Sequence, residues 1–466
     1  MRDKEHILIV GAGLCGSLLA LRLGQRGFRV TLIEKRPDLR TVEQDSGRSI
    51  NLALSDRGLR GLRMAGVEDQ ALSLSIPMYG RMIHPAGGGS SFLSPYSGKS
   101  ENHINSISRP GLNALLLDQL DGLDQVTTEF DYSCTHVDLE NAKAHFRNNR
   151  TGEQVTRHGD ILIGTDGAGS AVRKSMFAQR DYLFSFSQQW LSHGYKELEI
   201  PPAEDGGYRM DKEALHIWPR GEDMLIALPN LDGSFTVTLF IPYQSDDFGF
   251  NTLKTPSDVE AYFKQEYPDA LSLIPDLTQQ FFDNPTGPLG TIKCYPWCGF
   301  EKTLLMGDAA HAIVPFYGQG MNASFEDVVE LDVLLDRFDE DWAQVLPAYQ
   351  EGRKQDTDAI ADLAVDNFEE MKAHTANALF QQKRKIEIRL EQATEIDYQS
   401  KYSLVTFNEE LSYAQAMKLG RMQDKALLNL LADGRLAGTE PLEEQVALIK
   451  KATQNLLQDD AVVKNL

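Results

Sequence analysis

The apolar positions of this chain fall into short runs, several of which end in glycine. His6 to Val10 is one such run, followed at once by Gly11-Ala-Gly13-Leu14-Cys-Gly16 and then by leucines at 18, 19, 21 and 23, which predicts strand, glycine turn and apolar helix. Phe28 to Ile33 predicts a second strand ending in Glu34, 18 residues past Gly16. Arg48 to Ser55 reads as a strand, Arg57 to Met64 as a short helix, and Ile76 to His84 as a strand entering the glycine-rich loop Pro85 to Ser91. Ser108-Arg109-Pro-Gly-Leu112 opens a helix through Leu115, Leu116 and Leu120. Asp160 to Gly164 predicts another strand, running into Thr165-Asp166-Gly-Ala-Gly-Ser170-Ala-Val-Arg173.

Between about residues 178 and 290 the pattern alternates instead. Strands are predicted at Leu215 to Trp218, Met224 to Leu228 and Phe235 to Ile241, parted by turn clusters. Leu304 to Met306 then predicts a buried strand end, Gly307-Asp308 a tight turn and Pro315 to Gly320 a loop. A helix is expected from about Asn322, with Phe325, Val328, Val329, Leu331, Leu334 and Leu335 at helical spacing and Glu326 and Asp327 in its first turn. Beyond Pro347 the chain reads as helical, and Asn367, Met371 and His374 share one helix face.

The first glycine turn carries the chemistry. Gly11 permits the turn, Gly13 lets the backbone approach a pyrophosphate, and Gly16 lets the helix pack on the strand. Glu34 stands where an acid binds a ribose 2′-hydroxyl, so the start of the chain predicts a dinucleotide site. Free N–H groups at the helix start near Asn322 suit a phosphate or an electron-rich ring edge, with Asp308 placed to accept from a ribityl hydroxyl.

Composition narrows the class. A length of 466 residues allows several domains, and a formal net charge of −22 argues against nucleic acid and anionic membrane surfaces as partners. Cys15, Cys134, Cys294 and Cys298 are too scattered for a disulfide framework or a zinc site, so reduced thiols and a cytoplasmic setting are expected, with no metal. Neither a signal peptide nor a run of the ~20 apolar residues that a spanning helix needs is present, so no membrane anchor is expected.

Together, Gly11-Ala-Gly-Leu-Cys-Gly16, Asp166-Gly-Ala-Gly-Ser-Ala-Val-Arg173 and Gly307-Asp-Ala-Ala-His311 resemble the three-part flavin site of the single-component, FAD-dependent aromatic hydroxylases. The resemblance narrows within that family at residues 47–55, 76–84, 314–322, 367–371 and 402–407. It implies an α/β fold: a discontinuous Rossmann-like FAD-binding domain (1–75, 102–177 and 291–335), an inserted mixed β-sheet substrate domain (76–101 and 178–290), and a C-terminal helical region (336–466) closing the substrate site.

It further implies a cofactor set of Gly11, Gly13, Leu14, Gly16, Glu34, Lys35, Arg36, Ala53, Arg109, Cys134, Asp166, Asp308, Gly320, Met321 and Asn322. Arg81, Tyr96, Asn367 and Tyr402 match positions that hold the amino-acid end of an aromatic substrate, with Phe316, Tyr317 and Met371 beside it. The implied chemistry is reduction of FAD by NADPH as co-substrate, addition of O2 to give a flavin C4a-hydroperoxide, and hydroxylation of a ring carbon activated by an ortho amino group. No residue is assigned as acid or base, and His311 is read as structural. A hydroxylase of another aromatic acid and a non-catalytic flavin-binding sensor stay open, as do monomer and homodimer.

Overall fold

The structure, a computed structural model, describes residues 4–42, 51–87, 89–373, 378–393 and 395–464. Residues 47–50 of the family motif and His374 therefore lie outside the described residues, as does the side chain of Met371. The chain divides into two compact units, residues 1–76, 105–197 and 284–364, and residues 77–104, 198–283 and 365–466.

The first unit is built on a sheet whose order is Cys298–Gly299, Thr303–Leu305, Ile161–Gly164, His6–Val10, Arg29–Ile33, Val126–Glu129. Its five longer strands run parallel, with Ile7 opposite both Ile161 and Val30, and Gly164 opposite Leu305. Ile7, Leu8 and Ile9 are fully buried, as expected of a parallel strand covered on both faces. Helix Leu14–Gln25 follows the first strand, and Arg109–Leu120 and Gly320–Arg337 pack against it. A three-stranded antiparallel sheet, Tyr132–Asp138, Lys143–Asn148 and Gln154–His158, completes this unit's main elements.

In the second unit, Phe235–Pro242, Asp223–Pro229, Ala214–Arg220, Gly80–Ile83 and Phe92–Pro95 lie side by side in that order. All pairs are antiparallel except Ala214–Arg220 with Gly80–Ile83. Helices Pro256–Glu266 and Leu277–Asp283 supply Val259, Tyr262, Phe263, Leu277 and Phe281 to the core under these strands. A separate core of Ile386, Leu390, Tyr398, Leu427, Leu430 and Ile449 joins helices Ala378–Gln392, Tyr413–Ala432 and Leu442–Lys464.

Three local expectations change. The predicted strand over 76–84 is two, Ser75–Met78 and Gly80–Ile83. Helix Trp342–Ala373 starts before Pro347 and carries it inside. The helix expected from Asn322 starts at Gly320, which moves Glu326 and Asp327 out of its first turn and into buried positions. Asn322 lies in the first turn of that helix: its Nδ2 donates to the Ala53 and Gly318 carbonyls, both at 2.9 Å, and its Oδ1 accepts from the Ser55 N–H at 3.0 Å.

Candidate functional site

Three adjacent parallel strands of the first unit end in turns on one edge of its sheet. After Val10 comes Gly11, at φ +106°, where a Cβ would lie 2.7 Å from Asp166 Cα. Only glycine fits that close approach. Thr165 ties the turns together, its Oγ1 donating to the Gly11 carbonyl at 2.8 Å. Ser170 caps helix Ala171–Ala178, and Asp166 accepts from the Ala171 N–H at 2.6 Å. Arg173 reaches the third turn, donating from Nη1 to the Ala309 carbonyl at 2.7 Å. At that turn Gly307, at φ +58°, leads into Asp308, an exposed carboxylate flanked by buried residues.

The cradle this makes is open where a ligand's phosphates would come. A Cβ on Gly13 would meet nothing within 4 Å, whereas one on Gly16 would strike the Gly11 carbonyl. Helix Leu14–Gln25 makes its first internal bond from Ser17 N–H to Gly13 O, leaving the N–H groups of Leu14, Cys15 and Gly16 ahead of the ladder. The third turn repeats this: Gly320, Met321 and Asn322 precede the Ala323 N–H to Gln319 O bond. Two helix starts with free N–H groups and a fixed Asp308 suit a diphosphate-bearing, hydroxyl-rich cofactor.

Glu34 follows the second strand, accepting from the Ala12 N–H at 2.9 Å and from Arg36 Nε at 2.8 Å, while Lys35 and Arg36 are exposed beside it. Ala53 lies on strand Asn51–Leu54, against Gly318. Arg109 is the exposed first residue of its helix; burial pushes Glu197 up to about 7, and the Arg109 charge opposes that rise. Cys134 stays a neutral thiol, pushed up to about 12 by burial and by the Asp166 carboxylate. Phe316 and Tyr317 are buried in the single turn Pro315–Tyr317.

Below this cradle runs a buried chain of charge that sequence reasoning missed. Glu326 accepts from Arg57 at 2.6 Å and from Arg353 at 2.7 Å; Asp327 accepts from Arg353 at 2.9 Å, from the Gly307 N–H at 2.9 Å, and lies 2.6 Å from His311 Nε2. Burial by itself would raise both carboxyls, but the paired cations outweigh it and hold them below the ordinary range. His311 is thus a buried partner of Asp327 that fixes the turn before Asp308, in line with its structural reading. Asn113 was missed too; its Nδ2 donates to the Ala12 carbonyl and to Ser17 Oγ, holding the first turn from the side.

The second unit brings together Arg81, Tyr96 and Tyr402 from three distant segments. The tyrosine rings stack with centroids 5.5 Å apart and 11° between planes. The Arg81 guanidinium lies 4.9 Å from the Tyr402 ring and 5.7 Å from that of Tyr96. Among the described residues, Arg81 Nε and Tyr96 Oη are buried without a partner, an arrangement that costs roughly 1–3 kcal/mol per group unless something accepts from them. Burial raises both tyrosine hydroxyls, with Arg81 opposing, so they remain neutral donors. Asn367 is buried on helix Trp342–Ala373 in this same unit. Arg384, also missed, donates to the Pro95 and Tyr96 carbonyls. Its helix pattern reads only as a polar face, so no signal in the sequence could have found it. Among the described residues no His, Cys, Asp and Glu group could hold a metal, and no helix is long and apolar enough to cross a membrane.

The glycine cradle and its three converging turns define an α/β flavoprotein, and residues 4–193 and 298–364 match the family model of the FAD binding domain. The chain is 46% identical over 431 residues to a kynurenine 3-monooxygenase of Myxococcus xanthus, covering 92% of this chain and 91% of that protein. It is also 46% identical, over 446 residues, to the kynurenine 3-monooxygenase of Dictyostelium discoideum, covering 92% and 94%. The fold is similar to that of 2-methyl-3-hydroxypyridine-5-carboxylic acid oxygenase, with a TM-score of 0.65 at 20% identity, over 85% of this chain and 99% of that one. The chain belongs to the kynurenine 3-monooxygenase family of FAD-dependent aromatic hydroxylases.

Proposed function

We propose that the protein is an NADPH- and O2-dependent monooxygenase that hydroxylates L-kynurenine to 3-hydroxykynurenine. The observation that carries the reading is the cage of Arg81, Tyr96 and Tyr402, in which Arg81 Nε and Tyr96 Oη, buried and without a partner among the described residues, suit an amino-acid carboxylate. A guanidinium grips a carboxylate through two parallel bonds, and the Arg81 guanidinium lies 4.9 Å and 5.7 Å from the two stacked tyrosine rings. Asn367 would add a hydrogen bond.

The first unit is proposed as the FAD domain. Leu14 to Gly16 would donate to the pyrophosphate, Glu34 and Arg36 would meet the adenosine side with Lys35 adjacent, and Asp308 would accept from the ribityl chain. Gly320 to Asn322 would present main-chain N–H groups to the ring edge, Ala53 and Arg109 would line the channel, and Cys134 and Asp166 would stand behind. The flavin, reduced by NADPH and meeting O2, supplies the electrophilic oxygen. The protein's own share is binding, orientation and exclusion of water, so no general base is needed. Four unpaired thiols support a reducing, cytoplasmic setting.

The test is the purified protein: FAD should copurify, L-kynurenine should accelerate NADPH oxidation, and 3-hydroxykynurenine should appear at close to one per NADPH consumed. A yellow protein whose NADPH oxidation ignores L-kynurenine would assign it another aromatic acid or a non-catalytic role.

A further inference from the structure

One residue of the second unit touches both segments that carry the stacked tyrosines. Glu391 is 1% exposed, on helix Ala378–Gln392, and its two oxygens diverge. Oε2 accepts from the Gly98 N–H at 3.0 Å, and Oε1 accepts from the Ser400 N–H at 2.8 Å. Gly98 lies two residues after Tyr96, and Ser400 two residues before Tyr402. Ser400 is also the cap of helix Lys401–Thr406, so fixing its backbone fixes where the helix bearing Tyr402 begins. Gly98 is pressed on the same helix: a Cβ there would meet the Ile388 carbonyl and lie 2.7 Å from Glu391 Cβ. Arg384, two turns earlier on the same face, holds the Pro95 and Tyr96 carbonyls at 2.8 and 2.9 Å.

A carboxylate out of water is costly, and plain helix packing at this position would be met by an apolar side chain of similar volume. What the carboxylate adds is two charge-assisted bonds, one to each tyrosine segment. We propose that Glu391 is a positioning residue that sets the Tyr96–Tyr402 stack and so the orientation of Arg81. The inference rests on the reading above that this cage binds the substrate's amino-acid end. Glu391 touches no ligand itself; it acts through the spacing of two rings.

Glu391→Gln keeps the volume but turns one of the two acceptors into an NH2 group facing an N–H. Expected are unchanged FAD content, a dissociation constant for L-kynurenine raised by about tenfold, and a larger share of NADPH ending as hydrogen peroxide. Arg389→Ala is the control, since it breaks only a bond from the same helix to the Gly438 carbonyl; it should lower Tm without moving the dissociation constant. Tyr402→Phe is the reference for the cage. If Tyr402→Phe weakens binding and Glu391→Gln does not, Glu391 is packing and the proposal falls while the site reading stands. If neither weakens binding, both fall. Should the Gln variant fail to fold, hydrogen exchange on the parent protein decides: the Gly98 and Ser400 amides should be protected and should slow together on adding L-kynurenine. Exchange at open-loop rates, or slowing at one amide alone, would overturn the tie.

Discussion

In the first unit the groups proposed to face a ligand belong mostly to the main chain of three turns, while in the second they are side chains brought together from residues 81, 96 and 402. The buried charges beneath the cradle are mutually paired, Arg57 and Arg353 with Glu326, and Arg353 and His311 with Asp327. In the second unit Arg81 Nε and Tyr96 Oη have no partner among the described residues. A site of main-chain N–H groups at strand ends is rigid and complete before its ligand arrives. A site with orphaned donors is completed by its ligand, which ties affinity there to side-chain geometry. Substitutions should therefore act as present-or-absent in the first unit and as graded losses in the second.

The sharpest break of that contrast is Gly13→Val against Gly16→Val. Gly13 has open space around its missing Cβ, so the first variant is expected to fold with the cofactor-free protein's Tm and yet emerge colourless, its side chain filling the room the pyrophosphate needs. A Cβ at Gly16 would lie 2.5 Å from Thr165 Oγ1 as well as on the Gly11 carbonyl, so the second variant should lose folded yield. Flavin absorbance and thermal unfolding of both variants decide it. A yellow Gly13→Val protein would mean the cradle is not where the cofactor sits.

A graded loss is expected from Arg81→Lys, which keeps the charge but not the planar fork. Affinity for L-kynurenine should fall by one to two orders of magnitude, about 1.4 kcal/mol per tenfold, with FAD content unchanged. Unchanged affinity in a binding titration removes Arg81 from the site and, with it, the comparison's second half.

Those two regions also differ in how legible they were. Glycine is the mark of a strand-end turn, so Gly11, Gly13, Gly16 and Gly307 declared the turns, and Glu34 stood out by its spacing from Gly16, because such an arrangement is local in sequence. The misplaced details there concern burial: Glu326 and Asp327 read as solvated first-turn acids, yet the helix starts at Gly320 and both are consumed by Arg57, Arg353 and His311. Pattern alone likewise does not show that Ala53, Ser55 and Gly318 surround Asn322. The cage had no local signal at all. Arg81, Tyr96, Asn367 and Tyr402 were named only through family resemblance, and Arg384 and Glu391 not even so, since on a helix reading Ala-Leu-Phe-Gln-Gln-Lys-Arg-Lys-Ile-Glu-Ile-Arg-Leu-Glu-Gln no acid is distinguished from its solvated neighbours.

The smallest expected effect is a pH dependence carried by one histidine of the second unit. His216, on strand Ala214–Arg220, has Nε2 at 2.8 Å from the Asp211 carbonyl, which only accepts, so that nitrogen carries the proton. Its Nδ1 then accepts from His84 Nε2 at 2.9 Å, and a second proton on His216 would set N–H against N–H. Burial, opposed by the Asp211 carbonyl and reinforced by His84, pushes His216 down to about 4. The unfolded chain takes up that proton near the ordinary value of about 6.5, so between the two values it binds more protons than the folded chain, and stability falls as pH falls through that window. At pH 5.5 the loss should be about 1 kcal/mol relative to pH 7.5. The paired carboxyls of the first unit, Glu326 and Asp327, are held below the ordinary carboxylate range, and their contribution is lost only as pH falls below it. Asp223 of the same unit, pushed up to about 7 by burial, takes up its proton in the folded chain over this window and acts in the opposite sense, so the His216 share is read as a difference between the parent and a variant. His216→Gln, which keeps a donor to the Asp211 carbonyl but does not titrate, should fare better than the parent by about 1 kcal/mol on going from pH 7.5 to 5.5. The same fall in the variant and the parent would assign the acid sensitivity to other groups.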